Sequence, residues 1–146
     1  MKEKMNFDVV VGNPPYKGNF HLKFLKIAYN ISKEWVIWVH PSNWIVNRKG
    51  AVPEYQEMKN LIKGNLKEIS FFNGNPIFNV DLVSAFGILV INKEEIFNKI
   101  KIEDKIRNIK ISIRDWAQRW VEGRKGQGGK TIIQRTISNC EKSRNC

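Results

Sequence analysis

Residues 9–21, VVVGNPPYKGNFH, run from three valines through a glycine into Asn13-Pro14-Pro15-Tyr16. With Phe7 and Asp8 the valines make FDVVVG, a short apolar run ended by turn residues. Such a run is expected of a strand buried on both faces, as in a parallel sheet covered by helices. Two consecutive prolines hold two φ angles near about −65° and bias the residue before them toward an extended conformation. The result is a stiff bracket at the carboxyl end of a strand, where open α/β sheets bind their ligands. It fixes the directions of the Asn13 side chain and the Pro14 carbonyl, and places the Tyr16 ring alongside.

Outward from this junction, helical and strand patterns alternate. HLKFLKIAYNISK (21–33) predicts a helix with Lys23, Lys26, Asn30 and Lys33 on one polar stripe. EWVIWVHPS (34–42) reads as a second buried strand stopped at Pro41. PEYQEMKNLIKGN (53–65) predicts a helix with Pro53 in its first turn. Tyr55, Met58, Leu61 and Ile62 share one face, and Gly64-Asn65 is the stop. LKEISFF (66–72) and DLVSAFGILVINK (81–93) read as strands separated by the turn-rich NGNPIFN. With no helical pattern between them, these two are expected to pair antiparallel. The alternation predicts an α/β layer architecture with right-handed crossovers.

From Lys99 the character changes. KIKIEDKIRNIKISIRDW (99–116) alternates isoleucine with charge, as an exposed hairpin or edge would, and DWAQRWVE (115–122) reads as a short helix capped by Asp115. We therefore divide the chain into an α/β portion (1–98), a basic hairpin-and-helix extension (99–122) and a flexible basic tail (123–146). GRKGQGGKT in that tail misses phosphate-loop spacing, because Gly123 stands one residue too far from Gly129-Lys130.

The net charge of +11 is uneven: residues 1–98 hold 12 basic and 9 acidic groups, residues 99–146 hold 13 and 5. That balance points to a polyanion, nucleic acid first. Cys140 and Cys146 have no histidines or cysteines at zinc spacing, and two thiols make no disulfide framework. No apolar run approaches the roughly 20 residues of a membrane span, and a cytoplasmic protein is expected. His21 and His40 read as a helix-start and a strand-end residue.

The bracket suits one chemical group. An exocyclic amino group on a planar base carries two N–H donors and a lone pair delocalised into the ring. Two fixed acceptors, the Asn13 oxygen and the Pro14 carbonyl, would take both hydrogens and concentrate electron density on the nitrogen. This is fixed-dipole assistance of the oxyanion-hole kind, with acceptors in place of donors. Tyr16 would stack on the base, a contact of roughly 1–3 kcal/mol. In a duplex the base must first leave the stack.

FDVVVGNPPY resembles motif four of the amino-group methyltransferases that use S-adenosylmethionine, particularly the N6-adenine DNA methyltransferases of restriction–modification systems. EWVIWVHPSNW resembles the family's next strand, which ends in Pro-Ser, and NPIFNVDLVSAFGILVINK resembles its motif eight, an aromatic followed by a strand ending in lysine. The resemblance covers about residues 5–93. It implies the target-binding half of a class I, Rossmann-like sheet and methyl transfer to a flipped-out adenine. By it, Asn13, Pro14 and Tyr16 are the catalytic residues, Phe78 is the second face of the base clamp, Trp44 lines the base pocket, and Asn13 and Pro15 adjoin the methyl donor. Lys17, Lys23, Arg48 and Lys49 flank the cleft as candidate phosphate contacts.

The family's cofactor half, with its glycine-rich turn and acidic strand end, has no counterpart in this sequence. The resemblance thus implies a truncated or split enzyme whose S-adenosylmethionine half comes from a second chain or from self-association, with Val9–Val11 on an edge awaiting a neighbour. The same tetrapeptide serves methyltransferases acting on RNA or on a protein glutamine. A non-catalytic fragment or subunit that binds nucleic acid is the alternative of a different class.

Overall fold

The computed structural model describes residues 5–46, 52–81, 85–106 and 109–114. Their order is β1 (Phe7–Gly12), α1 (Phe20–Ile31), β2 (Ser32–Pro41), α2 (Asn43–Val46), α3 (Pro53–Ile62), β3 (Leu66–Phe72), α4 (Asn75–Phe78), β4 (Phe86–Asn92), β5 (Lys99–Asp104) and β6 (Ile109–Arg114). The expectations for Arg48, Lys49, the Asp115-capped helix, the basic tail and both cysteines lie outside the described residues.

The α/β class expected from the pattern is the one observed. The six strands form one sheet in the order β1-β2-β4-β3-β5-β6. β1 and β2 run parallel with α1 between them in the chain. β4 inserts between β2 and β3 and is antiparallel to both, so the expected antiparallel pairing of β3 with β4 holds. β5 joins β3 in parallel and turns back into β6. This hairpin extends the main sheet, and Ile100 and Ile102 are buried instead of exposed, because alternate residues of a strand share one face.

Helices cover the face that carries Val36, Trp38 and His40. On it Leu22, Leu25 and Ala28 of α1, Ile45 of α2, and Met58 and Ile62 of α3 pack with Ile69, Phe71, Leu89 and Ile91 of the sheet. The alternate residues Trp35, Ile37 and Val39 are only half-buried. Pro53 opens α3 as expected, and Gly64 follows its end with φ +86, a left-handed conformation that suits a residue without a side chain. NGNPIFN, expected as a turn, contains one helical turn, closed by Asn79 at φ 50. α1 ends earlier than the lysine stripe implied. Lys33 belongs to β2 and pairs with Asp8 at 3.6 Å. Lys93, just past β4, secures that end: its ammonium donates to the Tyr29 and Ser32 carbonyls at 2.7 and 2.5 Å. A cation at a helix C-terminus also matches the helix dipole.

β1 departs from its expected double burial. Phe7, Val9 and Val11 are 47%, 49% and 68% exposed, because among the described residues β1 is the sheet edge and pairs with β2 alone. Its end is nevertheless held firmly. Gly12 lies opposite Trp38, and a Cβ at Gly12 would come within 2.0 Å of the indole ring. Gly12→Ala is therefore expected to cost about 1–3 kcal/mol, read from the urea midpoint. An unchanged midpoint would contradict the contact.

His40 ends the buried face. It is fully buried, stacks on buried His21 with ring centroids 6.2 Å apart, and tilts against Trp44 at 5.3 Å. Its Nδ1 lies 2.6 Å from the Pro41 carbonyl oxygen and 2.9 Å from the Trp44 indole nitrogen. The carbonyl only accepts and the indole only donates, so the position of the ring proton selects one bond. Burial lowers the His40 pKa to about 3, against a partial opposing pull from the Pro41 carbonyl, and the neighbouring His21 lowers it further. Burial also lowers His21. A histidine with a depressed folded-state pKa contributes its full stability above its unfolded pKa of about 6.5, and that stability falls as the unfolded chain takes up the proton. Urea unfolding should show stability dropping between pH 6.5 and pH 3, with His40 adding a slope on the order of 1 kcal/mol per pH unit that His40→Leu removes. Identical slopes in the two proteins would refute this.

Candidate functional site

The strand end, the double proline and a cluster of aromatic rings build the site. Past Gly12 the chain leaves the sheet. Asn13 and Pro15 are exposed, while the Pro14 ring is buried and anchors the turn between them. The Tyr16 hydroxyl donates to Asn13 Oδ1. That bond fixes which end of the Asn13 amide is the oxygen and where it points, and an amide oxygen keeps a second lone pair for another donor. Burial raises the Tyr16 phenol above its ordinary pKa against the opposing pull of Asn13, so it stays a neutral donor.

The Tyr16 ring meets Phe86 edge-on, with centroids 5.3 Å apart and planes at 69°. Phe86 in turn contacts Phe78 at 5.1 Å and Phe72 at 5.8 Å, and Phe72 reaches Phe78 at 6.3 Å. Asn13, Pro14, Tyr16 and Phe78, distant in sequence, thus gather at one end of the sheet through Phe86. Phe86 and Phe72 were not singled out from the sequence. Phe86 opens an apolar strand and reads there as core. The antiparallel pairing was the usable signal, since it sets the last residue of β3 opposite the first of β4.

Trp44, expected at the base pocket, is fully buried, and its indole N–H donates to His40 Nδ1 at 2.9 Å. Lys17 and Lys23 are exposed beside the turn, and the Lys23 ammonium lies 5.6 Å from the centre of the Phe20 ring.

On the other side of Asn13, a groove of about 300 Å³ runs along the β1 edge. Asn13, Pro14 and Pro15 close one end, and Val10, Phe24, Ile27 and Ile31 form its walls. Phe20, Phe24 and Ile27 of α1 are 46%, 44% and 53% exposed, so the apolar edge of β1 continues onto the helix. The described residues include no cluster of three or more His, Cys, Asp or Glu fit to hold a metal, and no helix among them is long and apolar enough to cross a membrane.

No protein-family model matches the chain. No curated protein sequence does either. Solved structures do. A modification subunit of a putative type I restriction enzyme from Vibrio vulnificus superposes with a TM-score of 0.53 at 17% identity, over 71% of this chain and 26% of that one. The type I restriction–modification methyltransferase subunit from Streptococcus thermophilus gives 0.58 at 15% identity, over 83% and 32%. The type IIG restriction endonuclease BpuSI gives 0.62 at 14% identity, over 84% and 21%. This chain therefore spans between about a fifth and a third of the length of these proteins, and its fold is similar to that of a part of each.

Proposed function

We propose that the chain carries the substrate-holding half of a methyltransferase acting on adenine N6 in DNA. The carrying observation is the junction at Asn13, where an oriented amide oxygen stands beside a gathered set of aromatic rings. In this reading Asn13 Oδ1 and the Pro14 carbonyl accept the two amino hydrogens, and Tyr16 and Phe78 hold the faces of a base that has left the duplex. The net charge of +11 favours a polyanionic substrate over a protein glutamine, with Lys17, Lys23, Arg48 and Lys49 on phosphates. DNA is preferred to RNA on the resemblance of the Asn-Pro-Pro-Tyr segment.

S-adenosylmethionine is the donor in this reading, and it supplies an electrophilic methyl group when bound. The groove beside Asn13 does not hold it unaided. Its described walls are apolar apart from Asn13 and the Trp38 indole, with no carboxylate for the donor's ribose or ammonium. Asn13 and Pro15 supply one border of such a site, and the rest falls to a polypeptide seated along β1, where the unpaired strand edge and the exposed face of α1 lie side by side. Without it the chain is a nucleic-acid-binding subunit, the second reading, which the incomplete groove favours.

The test is affinity for a duplex with one adenine opposite an abasic site against the fully paired duplex. The unpaired adenine should bind about fivefold tighter or more, the equivalent of one stacking contact. Tyr16→Ala should remove that preference and leave paired-duplex affinity intact. Equal affinities for the two duplexes in the unaltered protein would refute the base-holding role.

A further inference from the structure

Phe86 is fully buried, and its backbone lies across from Phe72 on one side and Pro41 on the other. Its ring is the common neighbour of Tyr16 and Phe78, at centroid separations of 5.3 and 5.1 Å. Both values fall in the range of about 4.5–7 Å that aromatic pairs prefer, with planes at 69° and 42° in offset or edge-on poses. Phe86 is held in place by a void left in the chain. A Cβ at Gly74 would fall 2.3 Å from its ring. The φ of Gly74 is −89°, open to any residue, so this glycine answers a need for space and not for an unusual backbone. Gly74 also directly precedes α4, whose last residue is Phe78. The start of β4 and the segment that carries Phe78 are therefore locked through one close contact.

We propose that Phe86 is the positioning residue of the base clamp, setting the separation and tilt of Tyr16 and Phe78, and that Gly74 provides the space it requires. The inference rests on the base-holding role given above to Tyr16 and Phe78. A planar base needs a gap of about 3.5 Å on each face. A smaller side chain at 86 lets the two rings shift together, and a methyl at 74 drives Phe86 toward them.

The experiment uses the full chain and the same two duplexes, one with adenine opposite an abasic site and one fully paired. The readout is the ratio of affinities, with thermal unfolding of each variant in parallel. Phe86→Leu and Gly74→Ala are each expected to lower the ratio at least threefold while paired-duplex affinity stays within twofold. The double variant should lose no more than the worse single, because the methyl at 74 enters space that leucine vacates. If Phe86→Leu does not fold, Phe86→Met keeps the bulk without the ring and carries the same expectation. Single variants that keep the unaltered ratio while Tyr16→Ala loses it would overturn the inference and leave the base-holding role standing. Fully additive losses in the double variant would overturn it as well. An unaltered protein without any preference would remove the base-holding role and this inference with it.

Discussion

The indole of Trp38 lies so close over the backbone of Gly12 that no side chain fits between them. Trp38 is itself fixed on β2, opposite Leu89 on β4 and packed in the main core. The position of the last residue of β1 is thereby set from the neighbouring β2, even though β1 lies at the edge of the described sheet. Asn13 follows immediately, and two prolines carry that rigidity forward to Tyr16. An edge strand would ordinarily be a poor support for a precise site. Here one ring-on-backbone contact and the buried Pro14 compensate.

The site is built asymmetrically. On the side of β3 and β4 it is finished: Phe86, Phe72 and Phe78 are packed together, and Tyr16 closes onto them. On the side of β1 it is open, with an apolar groove and a strand edge that no described residue pairs with. The first side suits a flat ring with an amino group. The second is unfinished surface, with Phe7, Val9, Val11, Phe24 and Ile27 all exposed, a concentration of apolar groups that marks an interaction surface.

Much of this was legible in the residues. Period and punctuation located β1, α1, β2 and α3, and Pro53 and Gly64 marked the limits of α3 because each has a backbone reason to stand there. The bracket was legible for the same reason, since proline acts locally. The insertion of β4 between β2 and β3 was not, because strand order is decided by which faces pack together across the whole sheet. Double burial of β1 failed for a separate reason: the edge position was expected, but a run of valines does not show whether other elements cover both faces of the strand. Trp44 illustrates a further limit. An aromatic just past a strand end fits a pocket or a core equally well in sequence, and it takes the packed structure to show Trp44 fully buried among core residues. Phe86, not singled out from the sequence, is fully buried and still joins the site rings in space.

The proposed hold of Asn13 on an amino group beside the aromatic rings is tested most directly by side-chain NMR of the full chain. Titration with deoxyadenosine should shift the Asn13 side-chain amide and the Tyr16 ring signals together. Purine deoxyriboside, which has the same ring system without the amino group, should shift the Tyr16 ring but leave the Asn13 amide in place. Equal shifts of Asn13 with both nucleosides, or none with deoxyadenosine, would contradict the account.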